Sequence, residues 1–161
     1  MRELTVENRH PVRKLNLALL RRLCRRLLDL EPLASRARRG YALYAAFLDA
    51  PAIAEINRSC LRHEGPTDVI ALDYAPEGGG WLGGEIFVCL DVAAEQAPRY
   101  GASYPEEIVR CLSHGLLHLA GWDDQTPEQA RRMEAVQERL LSELRSRFNL
   151  EKLVPGEASE R

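Results

Sequence analysis

Two histidines and an aspartate are spaced as ligands of a metal ion. His114 and His118 lie four residues apart, so on a helix both side chains share one face. Gly121, three residues after His118, can adopt the left-handed backbone conformation that ends a helix and reverses the chain. This reversal would bring Asp124 back toward the two histidines. Two imidazoles and one carboxylate leave a fourth tetrahedral position open for water, as in catalytic zinc sites. The stretch therefore predicts a metal ion held by His114, His118 and Asp124.

The residues around the two histidines narrow the chemistry. Two of the four histidines in the chain belong to this one stretch, which argues against coincidence. Gly115 stands where metallopeptidases with the HExxH motif carry their glutamate base, so a peptidase is disfavoured. Cys111, one turn before His114, is interpreted as a core thiol rather than a fourth ligand.

The composition is that of one soluble domain. The 161 residues are 45% hydrophobic and 29% charged, enough for a real core. No run approaches the ~18 apolar residues of a membrane-spanning helix, and the charged first ten residues lack the apolar stretch of a secretory signal. The four cysteines are widely spaced and predicted to be reduced. We expect a cytoplasmic protein without membrane contact.

Charge is distributed unevenly along the chain. Residues 1–40 carry 11 Lys and Arg against 4 Asp and Glu, whereas the remaining residues carry 11 against 20. Arg21 and Arg25 belong to this basic segment, on a predicted amphipathic helix. Such asymmetry suggests a polyanionic partner. A solvated helix face rich in arginine is the alternative interpretation.

Hydrophobic periodicity and turn residues predict the secondary structure. Strands are expected at 3–7, 41–48, 69–74 and 85–91, and helices at 12–30, 51–60, 92–99, 105–120 and 127–148. The glycine-rich segment 76–84 is predicted to be a mobile hairpin loop. This order predicts the α+β class: a single compact domain with a small mixed four-stranded sheet packed with five to six helices. The domain is expected to span residues 1–153, followed by a flexible polar tail over 154–161.

Three separated motifs occur along the chain: Asn57 followed by PTDVI at 66–70, GEI at 84–86, and HGLLHLAGWDD at 114–124. Together they make the chain similar to the YbeY family of metal-dependent endoribonucleases. Residues 114–124 read HGLLHLAGWDD and resemble the family signature HGxLHLxGYDH. Asn57 followed by PTDVI at 66–70 resembles a family asparagine followed by PTDVLSFP. The sequence GEI at 84–86 resembles the family's LGDI. Order and spacing agree over roughly residues 50–145, so the chain is identified as a member of this family by resemblance.

The resemblance implies a zinc ion in a cleft and activity on single-stranded RNA. It also implies a role in processing the 3′ end of small-subunit ribosomal RNA and in ribosome quality control, with the small ribosomal subunit as partner. Asp124 occupies the register of the family's third histidine, which favours it as third ligand over Asp123 or His63. Because carboxylates suit harder ions, Mn²⁺ or another divalent ion is an alternative to Zn²⁺.

Two further departures from the family concern the cleft. Leu61 stands where the family carries an arginine, so Arg62 is the candidate to contact a phosphate if the loop shifts by one residue. An exposed surface arginine is the other interpretation of Arg62. Residues 71–73 read ALD in place of LSFP, which alters the cleft wall. Glu85 is a candidate to orient water or a ligand imidazole. The candidates to position the RNA backbone are His63, Arg21 and Arg25.

The function expected from these residues is metal-assisted hydrolysis of RNA phosphodiesters. Tyr74 or Trp81 could stack on an unpaired base, although packing or loop anchoring would equally explain an aromatic residue there. Two other functions stay open. One is a non-catalytic ribosome-binding factor that keeps the fold, favoured by Leu61 and Asp124. The other is a metal-dependent hydrolase of peptides or small molecules, disfavoured by Gly115.

Overall fold

The computed structural model describes residues 1–76 and 79–156 and contains one four-stranded sheet in that part of the chain. The strands are β1 (Arg2–Asn8), β2 (Gly40–Leu48), β3 (Val69–Asp73) and β4 (Trp81–Cys89). Their order in the sheet is β1-β2-β4-β3. Strands β1, β2 and β4 are parallel, and β3 pairs antiparallel with β4. The sheet is therefore mixed, as predicted.

Six α-helices accompany the sheet within the described residues. They are α1 (Leu17–Leu28), α2 (Leu33–Arg36), α3 (Ala50–Leu61), α4 (Leu90–Gln96), α5 (Tyr104–Leu119) and α6 (Pro127–Arg147). Two single-turn 3₁₀ helices follow α4 and α6. The predicted fold class, a single compact α+β domain with five to six helices, is confirmed. Among the described residues, no helix combines the length and the apolar character that a membrane span requires.

Alternate side chains of the sheet build two separate cores. On β4, Ile86 and Val88 face the larger core, which also contains buried residues of α1, α5 and α6. The intervening Phe87 and Cys89 face the opposite side, against Ile53 of α3. This alternation is the period of two expected of a strand buried on both faces. Helices α5 and α3 therefore cover opposite faces of the sheet.

A glycine inside α5 lets that helix lie close to the sheet. A Cβ at Gly115 would come within 2.8 Å of the Ile86 Cγ2 atom and 3.2 Å of the Val69 Cγ2 atom. Position 115 therefore faces the core, and a glutamate there would point into the sheet. The neighbouring His114 instead contacts Gln137 on α6.

The glycine-rich segment differs from the prediction, because β4 begins at Trp81 and includes Gly83 and Gly84. Both residues pair with β2 in the parallel register. Gly84 has φ of 154°, and a Cβ there would lie 2.2 Å from the Leu72 carbonyl oxygen. Glycine at this position thus permits close strand contact instead of marking a loop. Residues 77 and 78 of the predicted hairpin loop lie outside the described residues.

The first helix is shorter than the predicted 12–30. It begins at Leu17 because the Asn16 side chain accepts a hydrogen bond from the Leu19 backbone N–H. The residues before it form a loop in which His10 and Arg13 bind the carboxylate of Asp91. At the other end of the chain, Val154 packs into the larger core, and residues 157–161 of the predicted tail lie outside the described residues.

Candidate metal centre

The end of α5 and the turn after it carry the three candidate ligands. Gly121 adopts φ of 95°, and its backbone N–H donates to the His118 carbonyl oxygen at 3.0 Å. The Trp122 N–H donates to the Leu117 carbonyl oxygen at 2.9 Å, which closes the helix end. This reversal returns the chain, so that Asp124 lies beside the helix.

The ligand atoms of these three residues converge. The Nε2 atoms of His114 and His118 are 2.9 Å apart, and the two rings meet edge to face. The Asp124 carboxylate oxygens lie 3.5 Å from His114 Nε2 and 3.8 Å from His118 Nε2. One ligand atom from each of the three residues lies within 4.8 Å of the other two. All three side chains are between a quarter and two-fifths exposed, so the cluster is open to solvent on one side.

The hydrogen bonds of the two Nδ1 atoms determine which imidazole nitrogens are free to bind a metal ion. His118 Nδ1 lies 3.0 Å from the Trp122 carbonyl oxygen, and His114 Nδ1 contacts the Gln137 Oε1 atom. Because a carbonyl oxygen only accepts, each Nδ1 must carry the hydrogen and donate it. In the neutral rings both Nε2 atoms therefore present lone pairs toward the same point. Two lone pairs 2.9 Å apart repel each other unless a cation lies between them.

The donor set fits a first-row divalent metal ion. Bonds of about 2.0–2.1 Å in tetrahedral geometry place ligand atoms about 3.3 Å apart. The three observed separations, 2.9, 3.5 and 3.8 Å, bracket that value. Among the described residues Asp123 is not part of the cluster, and its Oδ1 atom accepts the Asp124 backbone N–H at 2.8 Å. Within the described part of the chain, His63 is likewise outside the cluster.

A cleft of about 220 Å³ opens beside the cluster, between α5 and α6. Its lining includes one guanidinium, Arg110, and four carboxylates: Asp68, Glu107, Asp124 and Glu134. The excess of carboxylates favours a bound cation, and it repels a bare phosphate. The cleft is therefore better suited to an anionic substrate when a cation is present.

The cleft wall is a connected polar network. Gln96 donates to Asp68 at 3.3 Å and to Glu107 at 3.2 Å. Arg110 binds Glu107 at 3.1 Å and also contacts Glu138. Burial raises the pKa of Glu107, an effect that the nearby Arg110 opposes. Burial also raises the pKa of Cys111, which suits a core thiol and not a thiolate ligand.

Three of the other predicted site residues lie outside this cleft. Arg62 ends α3 in the left-handed conformation with φ of 57°, and both Arg62 and His63 are exposed there. Glu85 lies on β4 between Gly84 and Ile86, and both of these residues face α5. Because successive side chains of a strand point to opposite faces, Glu85 points to the other face of the sheet. Its carboxylate accepts a hydrogen bond from Tyr74, which raises the pKa of that tyrosine. The structure does not bring these side chains to the imidazoles.

The predicted RNA-contacting residues of α1 are also separate from the cleft. Arg25 is exposed and Arg21 half-buried, and neither lines it. Sequence reasoning missed two residues that do. Arg110 lies four residues before His114, so helical spacing could have placed it on the same face. Gln137 had no such signal, because its contact with His114 depends on how α6 packs against α5.

The structure is thus an α+β domain whose long helix ends in a solvent-open His-His-Asp cluster, a donor set that could hold a metal ion. A comparison of folds finds the same architecture in a solved structure. The solution structure of TM1509 from Thermotoga maritima superposes with a TM-score of 0.58 at 22% identity, covering 96% of this chain and 99% of that one.

Sequence comparison identifies the particular family. The sequence model described as Endoribonuclease YbeY matches residues 5–145. A protein named Endoribonuclease YbeY from Nocardioides sp. is 34% identical over 155 residues, covering 90% of this chain and 98% of that protein. Another of that name from Chlorobium luteolum is 43% identical over 89 residues, which span 55% of this chain and 64% of the relative. The chain belongs to the YbeY family of endoribonucleases.

Proposed function

We propose that this chain is a zinc-dependent endoribonuclease that cleaves single-stranded RNA during maturation of the 3′ end of small-subunit ribosomal RNA. The observation that carries the proposal is the convergence of His114 Nε2, His118 Nε2 and the Asp124 carboxylate within 4.8 Å of one another. Mn²⁺ or another divalent ion is the alternative occupant, because Asp124 is a harder ligand than imidazole. Family membership supports RNA as the substrate class.

The chain's own residues have defined tasks in this mechanism. Gln137 and the Trp122 carbonyl hold the two rings in the tautomer that leaves both Nε2 atoms free. The bound ion would supply a polarised phosphoryl oxygen and a water of lowered pKa. The buried Glu107 holds Arg110 at the cleft wall, where the guanidinium can offset part of the cleft's negative charge. Position 115 faces the sheet and supplies no base, which supports a nuclease over a peptidase of the HExxH type.

The cellular setting belongs to the same proposal. We propose that the chain acts in the cytoplasm on the small ribosomal subunit and contributes to ribosome quality control. The α1 residues Arg21 and Arg25, together with His63, remain predicted contacts for the RNA backbone. Arg62 remains the predicted phosphate contact and Glu85 the predicted orienting group. Because neither lines the cleft, both roles require a loop or substrate arrangement different from the one described.

Purified protein incubated with ribosomal RNA tests the function directly. We expect cleavage with Zn²⁺ or Mn²⁺, loss of cleavage after chelation, and loss in His114→Ala, which removes one ligand of the cluster. Equal cleavage by the wild type and His114→Ala would indicate a contaminating nuclease. RNA binding without cleavage under all metal conditions would instead support the non-catalytic factor. Peptide hydrolysis that chelation abolishes would support the peptidase.

A further inference from the structure

Three arginines, one at the end of α2 and two in the turn before β2, are exposed and carry uncompensated charge. Arg36, Arg38 and Arg39 have no ion pair and no side-chain hydrogen bond to any residue of the described ranges 1–76 and 79–156. Arg26 and Arg110 differ from them, since Arg26 binds Glu143 and Arg110 binds Glu107. The local charge of this segment is therefore available to an external anion.

Arg36 lies against the turn that carries the third candidate ligand. Its Nη2 atom is 3.4 Å from the position that a Cβ at Gly121 would occupy. Arg36 and Arg132 line an open cleft of about 320 Å³ together with Trp122 and Asp123 of the same turn. One end of the arginine segment therefore lies beside the turn that connects His118 to Asp124.

The other end of the segment meets an aromatic groove. The Arg39 backbone N–H donates to the Gly80 carbonyl oxygen at 2.8 Å, and the Arg39 and Arg38 side chains both lie close to Gly80. The next residue, Trp81, lines a groove of about 410 Å³ together with Tyr74. Tyr74 is 64% exposed, so one face of its ring is open to solvent.

We propose that Arg36, Arg38 and Arg39 form a track for the phosphates of single-stranded RNA, and that Tyr74 stacks on one of its bases. This inference takes its substrate class, single-stranded RNA, from the proposed function, and it adds the path of that RNA across the protein surface. Proteins that bind single strands combine a cationic path for the backbone with aromatic platforms for the bases. Guanidinium groups suit this path because their forked donors match phosphate oxygens. The track runs from the turn that precedes Asp124 to Tyr74, whose bond to Glu85 places it toward the opposite face of the sheet. A strand lying on it would therefore pass around the start of β4, with its Arg36 end at the turn between His118 and Asp124.

Two charge-matched triple variants test the phosphate track. One is Arg36→Gln with Arg38→Gln and Arg39→Gln. The control is Arg58→Gln with Arg99→Gln and Arg147→Gln, three exposed arginines that each bind a carboxylate one turn away. Binding of a fluorescent twelve-nucleotide oligouridine to the metal-loaded full chain is measured by anisotropy at 4 °C and several salt concentrations, and a gel after each titration confirms intact RNA. Thermal unfolding confirms that both variants fold.

We expect the first triple variant to weaken binding about tenfold or more and to reduce the slope of log affinity against log salt by about 2, since each lost contact on a single strand contributes about 0.7. The control should keep the wild-type slope, because each of its arginines already binds a carboxylate. A loss of slope in the control equal to or larger than the loss in the first variant would show an effect of net charge and would overturn the track. An unchanged slope in both variants would overturn it as well.

Substitution of Tyr74 tests the stacking step separately. Tyr74→Ala should weaken binding about tenfold without changing the salt slope, because a stacking contact releases no counterions. Tyr74→Phe keeps the ring, loses the hydroxyl that binds Glu85, and should bind as the wild type does. Equal losses in both variants would contradict stacking by the ring.

Cleavage measured on the same samples separates the two proposals. If the wild type cleaves no RNA, and only the triple variant of Arg36, Arg38 and Arg39 loses salt dependence of binding, the result would support the track and refute the nuclease function. Cleavage by the wild type with the same salt slope in both triple variants would support the nuclease and overturn the track.

Discussion

The hydrogen bond between His114 and Gln137 allows a test of the metal centre that does not depend on activity. Gln137 is 8% exposed, and its Oε1 atom accepts from His114 Nδ1. Gln137→Leu removes the acceptor at similar side-chain volume, so the ring loses its orientation and its preference for the tautomer with a free Nε2 atom. Gln137→Glu has the opposite effect on the ring, because a carboxylate accepts more strongly and raises the basicity of Nε2.

The expected magnitude follows from the geometry. Loss of a partner that orients a ligand imidazole typically costs 10–100-fold in metal affinity, or about 1.4–2.7 kcal/mol. Only one of the two rings is affected, since His118 keeps its bond to the Trp122 carbonyl oxygen. We therefore expect Gln137→Leu to weaken zinc binding by about tenfold, the lower end of that range. Gln137→Glu should bind zinc at least as tightly as the wild type.

Competition with a chromophoric chelator measures zinc affinity without an RNA substrate. Thermal unfolding of the metal-free proteins serves as the control, because it separates a loss of packing between α5 and α6 from a loss of ligand orientation. Equal weakening by Gln137→Leu and Gln137→Glu would show that the residue acts through packing alone. Wild-type affinity in both variants would refute the assignment of His114 as a ligand oriented by α6.

Three further predictions concern the same helix and its surroundings. Elemental analysis should find almost no zinc in His118→Ala and a more modest loss of zinc in Asp124→Asn. Equal zinc content in the wild type and both variants would place the metal site elsewhere. Gly115→Ala should lower the free energy of unfolding by about 1–3 kcal/mol, measured with urea, because the new Cβ would lie 2.8 Å from Ile86 Cγ2; an unchanged midpoint would contradict the close packing of α5. Burial acts to raise the pKa of the Asp91 carboxyl. Its hydrogen bonds with His10, the Ala50 backbone N–H and Arg13 outweigh burial and hold that pKa below its usual value. Its stabilisation is therefore present at neutral pH and lost as the pH falls through the lowered pKa. Asp91→Asn should cost roughly 1–2 kcal/mol at pH 7, discounted for partial exposure, and this difference should narrow at pH 3; a constant difference would refute the ionic contribution.

Elements with strong local signals were predicted well from the sequence. The pattern predicts helix α6 at 127–148, and the helix spans Pro127–Arg147, with Thr126 as its N-cap. Helix α5 was predicted at 105–120 and spans Tyr104–Leu119. In both helices a side-chain cap and a proline in the first turn specify the start within a few residues. Local hydrogen bonding is sufficient to define such ends.

Elements whose conformation depends on distant contacts were predicted less well. The glycine-rich pattern predicts a loop through residues 83 and 84, yet both glycines continue β4, and the absence of a Cβ at Gly84 permits its close contact with β3 and α5. The short helix α2 was not predicted, since its four residues carry no periodicity. Glu85 was assigned to the site by its place in a motif, but strand alternation directs it to the other face of the sheet.

The sequence by itself determined the ligand types and their spacing, because an i, i+4 pair and a glycine reversal are properties of one continuous segment. Tertiary structure alone decided which groups surround that segment. Gln137 reaches His114 only because α6 packs on α5, and Arg36 reaches Gly121 only because α2 lies beside the end of α5. Contacts between residues distant in sequence depend on the packing of whole elements, and no local pattern encodes them.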